Sequence, residues 1–162
     1  MEVVVTGASG LIGQALVAAL EARGDRVRRM VRRPVADPAE IRWEPDRGHL
    51  NPAELVGVDA VVHLAGAGIA DRRWTRSQMN RILESRTRGT QLLARSLAKA
   101  HPLGGPKVLV SGSAIGFYGD RGEEALTEAS PRGTGFLADV CVAWEDATRD
   151  ADRAGLRVAH AR

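Results

Sequence analysis

Val3-Val4-Val5-Thr6-Gly7-Ala8-Ser9-Gly10-Leu11-Ile12-Gly13 decides how this chain folds. An apolar run without polar alternation reads as a strand buried on both faces, the habit of a parallel sheet. The run ends at Thr6-Gly7, after which Leu11, Ile12, Ala15, Leu16, Ala19 and Leu20 recur at helical spacing and Gly24 supplies a stop. Between strand and helix the glycines stand in the order Gly-x-x-Gly-x-x-Gly. Gly7 permits the tight turn out of the strand, Gly10 lets backbone approach a pyrophosphate, and Gly13 lets the helix pack close to the strand. The helix N-terminus adds unpaired amides and the positive end of a dipole. Gly7, Ser9, Gly10, Leu11, Ile12 and Gly13 are therefore expected to cradle a dinucleotide; the alternative is a tight turn without a ligand. No Gly-Lys-Ser/Thr ending follows, which disfavours a nucleoside triphosphate.

Outward from this turn, β-rich runs alternate with helical patterns, predicting an α/β doubly wound parallel sheet of six strands. Residues 26–31 read as the second strand, closed by Arg32-Arg33-Pro34. A short third strand is expected around 41–43, inside an irregular, proline-interrupted stretch. The fourth spans 59–64, the fifth 107–110, and a sixth starts at 156–159. Helices are predicted over about 76–100 and 135–154, and residues 116–134 form a glycine- and proline-rich loop long enough to suggest function. The whole, 1–162, reads as one dinucleotide-binding domain. Its end at His160-Ala161-Arg162, as a strand finishes, suggests a truncated piece of a longer protein.

Composition narrows the partners. Of 162 residues 44% are hydrophobic and 27% charged, too apolar a mixture for a disordered chain, and no run is long enough to span a membrane. A net charge of +3 is small, and the basic residues, all arginine except Lys99 and Lys107, are scattered among acids, so neither nucleic acid nor membrane is expected as a partner. Cys141 is the only cysteine, which excludes an internal disulfide and a cysteine-rich zinc site; no metal is expected and the default location is cytoplasmic.

The end of the second strand selects the cofactor. An NAD site places an acid there to accept from the ribose 2′-hydroxyl. This chain has Arg32 and Arg33, which cannot accept but can clamp a 2′-phosphate, so NADP is expected over NAD. The plainer reading is that both arginines solvate the strand end, as Arg26, Arg28 and Arg29 do elsewhere on it.

The turn is similar to that of the short-chain dehydrogenase/reductase superfamily, in particular its extended branch of sugar-nucleotide epimerases and dehydratases. His63-Leu64-Ala65-Gly66 matches that branch's fourth-strand motif, where backbone lies against the cofactor. Ile69-Ala70-Asp71-Arg72-Arg73-Trp74-Thr75, Ser111-Gly112-Ser113-Ala114 and Phe117-Tyr118-Gly119-Asp120 resemble one subgroup, the epimerase family proteins. The resemblance runs through the whole chain in order. It implies cofactor contacts from Leu64, Ala65 and Gly66, a C-terminal substrate region that is absent from this chain, a small-molecule substrate of unknown identity, and pairing of the helices at the fourth and fifth positions in a homodimer. Where the subgroup shows Ala-Gly-Glu-Pro, this chain has Ala65-Gly66-Ala67-Gly68, so a polar contact to ribose is in doubt.

The superfamily's engine is a serine or threonine after the fifth strand and a Tyr-x-x-x-Lys pair one turn apart on the next helix, the lysine lowering the tyrosine's pKa. Ser113 takes the serine's place. The pair is missing: the positions resembling it are Leu137 and Cys141, in an apolar stripe with Val140 and Trp144. Tyr118, the only tyrosine, is the replacement candidate for an acid, against the reading of a packed loop tyrosine. Cys141 reads as a buried thiol and His63 as a structural histidine. Glu123 and Glu124 read as solvated, Glu128 as a candidate for a substrate entrance, and Arg73, after the fourth strand, as a cofactor or anion contact or a surface residue. Two functions remain open: an NADP-dependent oxidoreductase or epimerase using Ser113 and Tyr118, and a non-catalytic dinucleotide-binding sensor or scaffold.

Overall fold

In a computed structural model describing residues 1–70 and 72–162, the valine run forms β1 (Glu2–Thr6) near the middle of a seven-stranded sheet. Val4 packs into one core with Ile41, Val61, Leu93, Leu97 and Leu109, whereas Val3 and Val5 pack into another with Val17, Leu20 and Val27. Successive side chains leave a strand on opposite faces, and here both faces are covered, so the run needs no polar alternation.

Helix α1 (Leu11–Ala22) covers the second core; α2 (Arg76–Ala100) and α4 (Arg149–Arg153) cover the first. The remaining strands are β2 (Arg26–Val31), β3 (Glu40–Glu44), β4 (His49–Leu50), β5 (Ala60–His63), β6 (Val108–Gly112) and β7 (Arg157–Ala161). Their order is β4-β3-β2-β1-β5-β6-β7, parallel throughout except for β4 on β3. The chain leaves β1 toward β2 on one side and returns to β5 on the other. That reversal opens a crevice beyond the C-terminal ends of β1 and β5, the usual ligand site of an open α/β sheet.

The expected doubly wound sheet is present, with three differences. A seventh strand, β4, follows the left-handed Gly48; it pairs only Trp43 with Leu50 and Glu44 with His49, too short to show a period. The helix predicted over 135–154 is broken into α3 (Phe136–Asp146) and α4. At the break the Thr148 hydroxyl donates to the Glu145 carbonyl at 2.7 Å, competing with continuation of the helix. The buried stripe of α1 is Gly13, Val17 and Leu20, with Leu16 partly buried beside it; of the expected positions Leu16 and Leu20 face the core, whereas Leu11 and Ile12 are 91% and 69% exposed. Two large apolar side chains thus stand free at the mouth of the crevice. Asp71, within the stretch quoted above, lies outside the described residues.

Candidate functional site

The glycine turn is shaped by backbone against backbone. Gly7 has φ +69°, and a Cβ there would meet the Leu64 carbonyl carbon and oxygen at 2.8 Å and the Ala65 nitrogen at 3.0 Å. A Cβ on Gly13 would fall inside contact distance of the Gly7 carbonyl oxygen and 2.8 Å from Ala8 Cα. Gly10 is freer, its nearest neighbour being the Gly7 oxygen at 3.3 Å. Gly10 also caps α1 without any side-chain cap, the first turn carries no acid, and Gln14 Nε2 holds the turn by donating to the Ser9 carbonyl at 2.8 Å. The helix therefore presents open amides and no competing anion, beside the Leu64-Ala65-Gly66 backbone, as a phosphate requires. A dinucleotide fits: the cradle occupies the space that side chains would fill, and its donor set matches a pyrophosphate.

Beneath it lies a buried hub that bears out the reading of His63 as a structural histidine and adds Thr6 and Thr90 as its partners. The amides of Leu64 and Ala65 donate to Thr6 Oγ1 at 3.1 and 3.2 Å, which leaves the Thr6 proton for His63 Nδ1 at 2.7 Å. His63 is thus neutral with its proton on Nε2, which donates to Thr90 Oγ1 at 2.9 Å. The ring is fully buried against the edge of Trp43, and burial lowers its pKa to about 4. His63 ties β1, β5 and α2 together and locks the backbone on which Gly7 rests.

At the end of β2 the two arginines differ. Arg33 forms an ion pair with Glu40, whose carboxylate also accepts from the Ala36 amide at 2.9 Å. The Arg33 hydrogen bond leads the contacts holding the Glu40 carboxyl below its ordinary range. Arg32 is exposed and has no hydrogen bond or ion pair among the described residues. Arg73 is exposed where the chain enters α2, and its carbonyl accepts from the Thr75 amide at 2.9 Å.

Ser113 follows β6, and its amide donates to the Ala161 carbonyl at 2.7 Å, extending the pairing with β7. Its hydroxyl donates to Glu145 Oε1 on α3 at 2.6 Å. Arg162 grips the same carboxylate with Nε and Nη2, both at 2.8 Å. Burial opposes the Glu145 charge, but hydrogen bonds from Arg162 and Ser113 outweigh it and hold the carboxyl below its ordinary range. Tyr118 is buried in the 3₁₀ turn Ile115–Tyr118, and its hydroxyl accepts from Arg162 Nη1 at 3.1 Å. Ser113 and Tyr118 are therefore joined through Glu145 and Arg162; no direct hydrogen bond links them.

The positions resembling the missing pair are inert. Cys141 is buried with its thiol toward the Ala114 carbonyl at 3.7 Å, and burial, then the nearby Glu145 charge, push its pKa up. Of the loop acids, Glu124 pairs with Arg121, and the Glu128 carbonyl accepts from Arg162 at 3.4 Å. Among the described residues no group of three His, Cys, Asp or Glu could hold a metal, and no helix is long and apolar enough to cross a membrane.

A doubly wound sheet with a glycine turn at its switch point defines a Rossmann-type domain. The chain matches the model of the NAD dependent epimerase/dehydratase family over residues 3–136 and belongs to that family. It is 44% identical over 160 residues to an epimerase family protein of Mycobacterium bovis, covering 99% of this chain and 52% of that one. The crystal structure of a nucleoside-diphosphate sugar epimerase from Corynebacterium glutamicum superposes with a TM-score of 0.85 at 40% identity, over 100% of this chain and 33% of that one. The human epimerase family protein SDR39U1, solved with NADPH, gives a TM-score of 0.80 at 34% identity, over 92% of this chain and 49% of that one. The chain spans about half the length of the curated relatives it matches.

Proposed function

We propose that this chain is the NADP(H)-binding domain of an atypical sugar-nucleotide-epimerase-like oxidoreductase. The uncapped N-terminus of α1 above the Gly7–Gly13 turn carries the reading, because it is a phosphate site with no internal anion to satisfy it. Gly7, Ser9, Gly10, Leu11, Ile12 and Gly13 hold the pyrophosphate, Leu64, Ala65 and Gly66 line its far side, and Arg73 stands at the rim. Arg32 supports NADP over NAD: it is an exposed guanidinium with no side-chain partner among the described residues, at the strand end where a 2′-phosphate would lie. Arg33 serves Glu40 and shapes the loop.

Arg32→Asp should weaken NADPH binding about 10- to 100-fold, the worth of a charge-assisted contact, and shift preference toward NADH. Arg33→Ala should leave the ratio near wild type. Titration of NADPH and NADH followed by tryptophan fluorescence reads both; an unchanged ratio in Arg32→Asp overturns the 2′-phosphate assignment. No quenching by millimolar NADPH overturns the cradle itself.

When bound, the dinucleotide supplies hydride exchange with a carbon bearing oxygen. Ser113 meets that oxygen. Its proton is engaged by the ionised Glu145, so its lone pairs face outward as acceptors for a substrate hydroxyl. Tyr118 acts behind it, holding Arg162 on Glu145. In the full-length protein Ser113→Ala should abolish reductase or epimerase turnover while NADPH affinity changes less than twofold; full retention of turnover excludes Ser113 from the chemistry. The buried thiol of Cys141 and the apolar Leu137, where the Tyr-x-x-x-Lys pair would stand, favour a second reading, a non-catalytic NADP(H) sensor. Full-length protein that binds NADPH but exchanges no hydride with sugar nucleotides would decide for it.

A further inference from the structure

Arg86, on α2, belongs to none of the motifs, yet its guanidinium lies beside Gly66, just beyond β5. Its Nη1 donates to the carbonyls of Ala67 at 3.0 Å and Ile82 at 3.2 Å. The Cζ lies 5.0 Å from the Trp144 ring centroid, in cation–π contact, and a Cβ on Gly66 would come within 3.3 Å of it. Trp144 Nε1 is buried and has no hydrogen-bond partner among the described residues, so packing against the arginine and Gly112 holds the indole in place. Among the described residues no carboxylate pairs with Arg86, whereas Arg28, Arg33 and Arg162 each have one. A half-buried cation with spare donors and no counter-charge is unusual inside a fold and marks a ligand contact.

Sheet order says which part of the ligand it meets. Arg32 follows β2, the glycine cradle follows β1, Gly66 and Arg86 stand beyond β5, and Ser113 follows β6; these strands are neighbours in that order. A dinucleotide with its 2′-phosphate at Arg32 and its pyrophosphate at the cradle brings the sugar of its nicotinamide half to β5, just before Ser113. In the usual engine a lysine from the helix after the fifth strand occupies this neighbourhood. Here its position holds Cys141, a buried thiol that supplies no charge.

We propose that Arg86 is a cofactor-positioning residue that replaces the missing lysine from a different helix, donating to the sugar hydroxyls of the nicotinamide half. The proposal rests on the NADP(H) reading above. The test compares NADPH with 2′,5′-ADP, which carries only the adenosine half, by calorimetric titration of wild type, Arg86→Gln and Arg86→Lys. Arg86→Gln should bind NADPH about 10- to 100-fold more weakly and 2′,5′-ADP within twofold of wild type, and Arg86→Lys should recover most of the NADPH affinity. Retained 2′,5′-ADP binding also shows that the variant is folded. NADPH affinity unchanged in Arg86→Gln, or equal losses for both ligands, overturns the role of Arg86 and leaves the cofactor reading standing. Wild type that binds neither ligand overturns the cofactor reading and this proposal with it.

Discussion

Gly13→Ala should destabilise the domain by about 2–4 kcal/mol, although alanine is the better helix former by about 1 kcal/mol. The added methyl would enter the Gly7 carbonyl oxygen and approach Ala8 Cα to 2.8 Å. Both are backbone atoms, and the Gly7 turn is itself wedged against Leu64, so neither can step aside. Gly10→Ala separates fold from ligand. Gly10 has φ −77°, open to any residue, and its Cβ would meet only the Gly7 oxygen at 3.3 Å. Stability should change by less than about 1 kcal/mol, while NADPH affinity falls at least about tenfold because the methyl occupies the approach of the pyrophosphate. Urea denaturation and NADPH titration of the two variants read these outcomes. Gly13→Ala as stable as wild type would show that α1 does not rest on the turn as described, and Gly10→Ala binding normally would place the phosphate elsewhere.

The second large effect is pH-dependent. Unfolded, His63 titrates at its ordinary 6.5; folded, burial holds it at about 4. The unfolded chain therefore binds the proton first, and the stability this neutral ring supports is complete above pH 6.5 and is lost as pH falls toward 4. At about 1.4 kcal/mol per pKa unit the full loss is about 3 kcal/mol, of which about 2 falls between pH 7 and 5. In that interval carboxylates held low, such as Glu40 and Glu145, remain largely ionised, so the window belongs to the histidine. His63→Gln, less stable at pH 7, should lose about 2 kcal/mol less than wild type between pH 7 and 5 in urea denaturation. Parallel slopes for the two proteins would contradict a neutral, buried His63.

The reading from residues alone reached different depths in different places. The valine run and the glycine spacing are local signals, because a strand buried on both faces and a turn of backbone in close contact restrict residue type at every position. The break at Thr148 escaped it because a hydroxyl-to-carbonyl bond competes with a helix that the apolar spacing supports on both sides. On α1 the apolar spacing holds for Leu16 and Leu20 but not for Leu11 and Ile12, which keep the helical period and yet are exposed in the first turn. Glu145 stands one turn beyond Cys141 and so shares its helix face, but an acid at that spacing matches no part of a Tyr-x-x-x-Lys pair. Arg162, 44 residues from Tyr118, gave no local sign.

By itself the sequence determined the doubly wound sheet, the phosphate turn and the absence of a Tyr-x-x-x-Lys pair. Only the tertiary structure decided that Arg33 is spent on Glu40 while Arg32 has no partner among the described residues, that His63 is a neutral buried link, and that Glu145 holds the serine hydroxyl. The physical reason is range: periodicity and glycine spacing act between residues a few positions apart. Charge pairing and burial are set by residues that meet only after the strands have taken their order.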